Sequence, residues 1–188
     1  MNNKWSFLWN PFVRIAGWQA LALGAVAVGI TGIIAKYAGL TLDGAIDAHW
    51  GDNLSLATTF TLLGIDLASV FVSMSLTAIV IARNFRLIDI IGTMTLARTP
   101  FLLISLLGLW ISRPDSSELI NNPTAILHNY SVIVFVLFSV LIAVWVIALM
   151  YNAFKVSTGA KGTKLVFGFI IGLIVAEVIS KILIYNIL

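Results

Sequence analysis

Five apolar stretches, each long enough to cross a lipid bilayer, take up most of this 188-residue chain, and Lys and Arg collect in every second connection between them. The stretches cover residues 15–35, 55–82, 88–111, 130–154 and 165–187. A bilayer core takes about 20 residues of α-helix. Hydrocarbon offers a backbone no hydrogen bonds, so each stretch is expected to be a helix that satisfies its own amides. The composition agrees: 60% of the residues are hydrophobic and 10% charged, against about 45–50% and about 25% in soluble domains. The chain reads as an all-α membrane protein, a single domain over residues 1–188 forming a compact bundle of five transmembrane helices. The first stretch exceeds the apolar run of a signal peptide and is followed by four more, so it is read as an uncleaved helix.

The basic residues set an orientation. Lys4 and Arg14 precede the first span, Arg83 and Arg86 follow the second, and Lys155, Lys161 and Lys164 follow the fourth. The other two connections hold only Lys36 and Arg113. The positive-inside rule then puts the N-terminus in the cytoplasm and the C-terminus outside. The outer loops, of about 19 and 18 residues, carry Asp43, Asp47, Asp52, Asp115 and Glu118, and are read as simple solvated loops. Within the second of them, residues 112–118 have the composition of a turn followed by a capped short helix. Trp5 and Trp9 suit the membrane–water boundary, so the N-terminal segment reads as a short interfacial anchor. Trp110, Tyr130, Tyr151 and Tyr185 mark the same boundary at other span ends.

Small residues let membrane helices approach closely. Gly168, Gly172, Ala176 and Ser180 recur every four residues in the last span, and Gly24 lies on a similar stripe in the first. These stripes predict tight packing within one bundle, with homo-oligomerisation through them as the alternative. Thr59, Asp66, Ser69, Ser73 and Thr77 fall near one face of the second span, and Thr95, Arg98 and Ser105 on one face of the third. Both faces are expected to turn inward as a polar lining, with Pro100 kinking the third helix.

Asp66, Arg98, Glu177 and Lys181 lie inside spans, where an ionised side chain costs about 2.5–3.5 kcal/mol or more and needs a partner. Counted from the cytoplasmic ends at a rise of about 1.5 Å per residue, Arg98 lies ~15 Å deep, Glu177 ~18 Å, and Asp66 and Lys181 ~24 Å. Depth therefore pairs Arg98 with Glu177 and Asp66 with Lys181. Asp66 with Arg98 is the main rival, and Glu177 and Lys181 also stand four apart on one helix. The cluster is either a path for protons, an ion or a headgroup, or a neutralised network that fixes helix register. Two acids cancelling two bases favours the second.

Enzyme chemistry finds little footing. There is no Cys, which removes thiol catalysis, disulfides and Cys-based metal sites. His49 and His128 stand alone in separate outer loops, and the glycines around Gly159 and Gly162 lack phosphate-loop spacing. No cofactor, no metal and no nucleic-acid partner is expected.

The third span begins Phe85-Arg-Leu-Ile-Asp and reaches Leu96-Ala-Arg-Thr-Pro100, the fourth holds Trp145 and then Leu149, and a short Lys155-to-Lys161 connection leads to the last. Over residues 10–183 this pattern resembles the Yip domain family, the Ypt/Rab-interacting membrane proteins. Eukaryotic members carry a long cytoplasmic region before the helices, whereas here the membrane begins within about 15 residues. Their small-GTPase contacts are therefore not carried over. The resemblance is to the prokaryotic branch and implies a multi-pass protein of the bacterial plasma membrane with no catalytic residues. Two functions stay open: a non-enzymatic scaffold or membrane-organisation factor, and a small transporter or ion or proton channel subunit using the intramembrane charges. In the first, the basic face of Arg83, Arg86, Lys155, Lys161 and Lys164 meets anionic lipid headgroups or a protein partner, or serves topology alone.

Overall fold

A computed structural model describes residues 6–51, 54–82, 84–111 and 129–187. Lys4, Trp5, Asp52, Arg83, Arg113, Asp115, Glu118, His128 and the expected capped turn at 112–118 lie outside them. A short helix α1 (Ser6–Trp9) and a 3-10 turn (Pro11–Val13) lead into α2 (Gly17–Ala38). Two short strands, β1 (Leu40–Thr41) and β2 (His49–Trp50), precede α3 (Leu56–Ile81). Then come α4 (Leu87–Ala97), α5 (Phe101–Gly108), α6 (Tyr130–Thr158) and α7 (Gly162–Ile187). Five helical segments are long and apolar enough to cross a membrane, with α4 and α5 together making one of them. Val26, Val80, Leu141 and Phe167 are each more than half exposed. A soluble surface rarely presents apolar area on that scale, and a lipid-facing one does so as a rule.

Local chemistry sets the helix ends. Ser55 Oγ accepts Thr58 N–H at 3.0 Å, and Asn129 Oδ1 accepts Val132 N–H at 3.4 Å, each satisfying an orphan donor of a first turn. Gly39 and Gly159 close α2 and α6 at φ of 62° and 65°, a left-handed cap that glycine adopts without Cβ strain.

The glycines bring helices together in pairs. α2 lies along α4 and α5, and α3 along α7, while α6 covers α4 and α5. At Gly24 a Cβ would stand 2.6 Å from Leu96 N on α4. Gly168 and Gly172 face Met74, Thr77 and Ile81 of α3, and Ser73 Oγ donates to Gly172 C=O at 2.6 Å. Ala176 and Ser180 of the same stripe are fully buried. Both small-residue stripes are therefore occupied within the bundle.

Two elements differ from the sequence reading. The third span is two helices rather than one kinked helix. Around Pro100, which has no N–H to donate, the bonds shorten to three residues: Arg98 N to Thr95 O at 3.2 Å, Thr99 N to Leu96 O at 3.1 Å, and Phe101 N to Arg98 O at 3.0 Å. Residues 39–51 are not a solvated loop. β1 and β2 pair antiparallel, Leu40 opposite Trp50, and Leu40, Leu42 and Ala45 are at most 2% exposed. Trp50 stacks on Phe135 of α6 at 4.3 Å. Burying these apolar residues outweighs solvating a short acidic segment, since each buried Leu contributes about 1.5–3 kcal/mol. The N-terminal segment is latched to α6, with Trp145 Nε1 donating to Leu8 C=O and Asn152 Nδ2 to Trp9 C=O, both at 3.0 Å. Tyr151, expected at a boundary, packs edge-on against Phe169 of α7.

Gly24→Ala is expected to lower the melting temperature of the detergent-solubilised protein, because a Cβ facing backbone cannot be accommodated by a rotamer change; overpacking of this kind costs about 1–3 kcal/mol. Gly64→Ala, with nothing within 4 Å of the new carbon, is expected to hold or raise it by up to about 1 kcal/mol. Equal losses in the two would refute the close α2–α4 approach.

Candidate functional site, a charge network beneath the 39–51 loop

The break between α4 and α5 frees Arg98 from a helical row, and its side chain turns into the interior, 2% exposed. Its Nη2 donates to Gly44 C=O at 3.0 Å and stands 3.6 Å from Asp66 Oδ2 on α3. The second distance is an ion contact, too long for a hydrogen bond. The guanidinium also lies over the Phe101 ring at 5.4 Å, within reach of a cation–π contact. Arg98 thus gives its hydrogen bond to the loop backbone and its charge to Asp66. Asp66 is fully buried, about 15 Å along α3 from its loop-bearing end at the helical rise.

A second group lies toward the loop. Lys181 Nζ of α7 contacts Asp47 Oδ2 at 2.8 Å and Asp43 Oδ2 at 3.0 Å, and His49 Nδ1 stands 3.3 Å from Asp43 Oδ1. Burial raises the Asp47 pKa, but the Lys181 hydrogen bond and charge outweigh it and hold the carboxyl below its ordinary 3.8. Asp43, Asp47 and His49 offer ligand atoms within 4.8 Å of one another. A metal there would have to displace the Lys181 ammonium from both carboxylates. Glu177 joins the two groups: its carboxylate lies against Gly44, where an added Cβ would collide with it, and its charge acts on both Arg98 and Asp66. A cavity of about 310 Å³ reaches Asp47 and His49 from between the loop, α5 and α6.

The two-tier pairing expected from depth is therefore corrected. Arg98 pairs with Asp66, the rival arrangement, and Lys181 reaches the loop carboxylates instead of Asp66. The local Glu177–Lys181 pair is not formed among the described residues. The physical reason is the buried loop, which brings Asp43, Asp47 and a backbone carbonyl to helices that were expected to have only one another.

The polar faces of the second and third spans turn inward as expected. Thr59, Ser69, Thr77, Thr95 and Ser105 turn inward, but each hydroxyl donates to its own helix, to the carbonyls of Ser55, Ile65, Ser73, Ile91 and Phe101. Ser73 alone of the set reaches another helix, through Gly172. Back-bonding of this kind satisfies a hydroxyl where lipid and packed side chains offer nothing else. On the far side of Arg98 the interior is closed by Met74, Met94, Met150 and Phe154, all without exposure. Arg86, Lys155, Lys161 and Lys164 are exposed at that opposite end of the bundle.

Sequence reasoning missed Gly44 and the partner role of Asp43, Asp47 and His49. A signal was present: apolar residues alternate with these acids at Leu40, Leu42, Ala45 and Ile46, a density no freely solvated loop requires. Compared with family models, with curated proteins and with solved structures, the chain finds no match in any of the three.

Asp66→Ala is expected to destabilise the protein by about 3–5 kcal/mol, because Arg98 stays buried without its counter-charge. Asp66→Leu with Arg98→Met removes both charges at similar volume and is expected to recover most of that loss in the same melting assay. No recovery would mean that the pair is not the relevant unit.

A carboxyl held low contributes stability that is present above its unfolded value and lost as pH falls through the folded one. A nitroxide at Ala48→Cys is thus expected to gain mobility when the pH drops below about 3.8, and to be mobile at neutral pH in Asp47→Asn. Mobility unchanged by either would refute the Lys181–Asp47 clamp.

Proposed function

We propose that this chain is a non-enzymatic scaffold or membrane-organisation protein of the Yip type in a prokaryotic plasma membrane. Its basic end faces the cytoplasm, as the positive-inside rule directs, and its loop-bearing end faces outward. Arg86, Lys155, Lys161 and Lys164 then present a short cationic surface to anionic headgroups or to a cytoplasmic protein, each such side chain near an anionic leaflet adding about 1 kcal/mol of attraction.

The closed interior between the charge network and the basic end carries this reading. Inward hydroxyls that donate to helix carbonyls have no proton left to pass along a water chain, and the fully buried Met74, Met94, Met150 and Phe154 pack into the same interior. The buried stripes of Gly24, Gly168, Gly172, Ala176 and Ser180 stabilise one bundle, which leaves the charged ends as the surfaces for partners. Transport remains the alternative reading, and it requires a wet route past Ser73 and Thr95.

The native chain has no Cys, so single cysteines at Ser73, Thr95 and Glu177 can be probed with a membrane-impermeant maleimide from each side. The scaffold reading predicts labelling of Glu177→Cys from the loop side and none at Ser73→Cys or Thr95→Cys. Labelling of those two from the basic side would replace it with transport.

A further inference from the structure

The cavity beside the 46–50 segment runs from the charged loop to the lipid-facing side of the bundle. At about 310 Å³ it stands at the lower end of the range of about 300–1,000 Å³ that small-molecule sites occupy. Its helical wall is apolar, with Ile104 from α5 and Val136, Val140 and Ala143 from α6. Val136 and Val140 are 46% and 56% exposed, so the cavity opens sideways, onto the face that meets lipid. Its other end belongs to the loop and is polar, with Asp47, His49 and Trp50.

Two residues of that wall carry unused hydrogen-bonding groups. Trp50 Nε1 and Ser139 Oγ are both shut off from solvent, and neither has a partner. The inward hydroxyls of Ser69, Thr77, Thr95 and Ser105 each donate to the carbonyl four residues back. Ser139 does not. Buried polar groups are satisfied as a rule, and orphans in the wall of a cavity point to a missing partner. An indole N–H can only donate, so that partner is an acceptor.

Depth narrows its chemistry. α6 has 29 residues, about 43 Å at the helical rise, close to the thickness of about 40–45 Å of a bilayer with its headgroups. A hydrocarbon core of about 30 Å then begins ~7 Å from the loop-bearing end of α6, at the level of Phe135, on which Trp50 stacks. The cavity continues along α6 to Ala143, about 12 Å deeper. Its polar end thus lies where a phospholipid carries its ester carbonyls, and its apolar end beside the acyl chains. At the rim Asp43 and Asp47 share the one ammonium of Lys181, a surplus of negative charge that disfavours an anionic headgroup.

We propose that the cavity is a lipid site. One zwitterionic diacyl phospholipid, from the leaflet at the loop-bearing end, lays an acyl chain between α5 and α6. An ester carbonyl accepts from the Trp50 indole N–H, with the Ser139 hydroxyl as a second donor on the α6 wall. The site goes beyond the scaffold reading and does not depend on it, because it needs only the loop-bearing end at a bilayer surface.

Native mass spectrometry of the purified full-length protein tests the site, by titration in detergent with dioleoyl phosphatidylcholine and with its ether-linked analogue, which lacks the carbonyls. The wild type is expected to retain one molecule of the ester lipid and to bind the ether analogue about 2–10-fold more weakly, the worth of one hydrogen bond. Trp50→Phe keeps a ring against Phe135 and removes the N–H. It is expected to bind the ether lipid as the wild type does and to lose the preference for the ester. Ala143→Phe fills the cavity and is expected to retain neither lipid. Equal binding of ester and ether lipids by the wild type would overturn the proposal, as would an undiminished ester preference in Trp50→Phe. Retention of dioleoyl phosphatidylglycerol as tight as that of phosphatidylcholine would also overturn it. Should the variants fail to fold, the two comparisons on the wild type, ester against ether and zwitterionic against anionic, decide alone.

Discussion

Arg98 cannot be buried alone. A guanidinium stays charged at any ordinary pH, and at the centre of an apolar bundle it costs several kcal/mol unless a counter-charge and acceptors are at hand. The chain meets that demand from two distant segments, the Asp66 carboxylate and the Gly44 carbonyl. Each requires something further of the fold. Asp66 requires α3 to present its polar face to α4. Gly44 requires a loop to leave the surface and descend between helix ends. The break at residues 98–100 is what lets the side chain turn toward both.

The energetics divide between two kinds of contact. Leu40 and Leu42 keep the loop down, each through about 1.5–3 kcal/mol of burial, but apolar contact is poorly directional and would tolerate several seats. A hydrogen bond from a charged donor contributes about 1.5–3 kcal/mol and has a fixed geometry. It decides which residue of the loop lies over the network. Lys181 then fastens the loop from α7 through Asp43 and Asp47, and the glycines along α2–α4 and α3–α7 hold the helices close enough for these contacts to be made.

Much of this architecture was legible in the sequence because lipid enforces it. Helical spans follow from apolar runs, and the inward turn of Thr59, Asp66, Ser69 and Ser73 from their spacing. The packing role of Gly168 and Gly172 follows from small-residue periodicity. What depends on tertiary descent was not legible. Counting depth along helices treats the loops as outside, so the partners that Asp43, Asp47 and Gly44 offer to Arg98 and Lys181 were absent from the count. The cancellation of two acids by two bases failed for the same reason, once the loop added two more carboxylates. Helical spacing gives the inward face that the hydroxyls occupy, and says nothing about whether each donor is spent on the turn behind it.

The central claim is that the buried ion pair seats the loop. Electron–electron distances between nitroxides at Ala48→Cys on the loop and Ser131→Cys on α6 measure it directly, in the native background and with Asp66→Leu and Arg98→Met combined. One narrow distance in the native background and a broad distribution in the charge-free variant are the expected result. The same narrow distance in both would show that apolar burial alone seats the loop, and would contradict the account.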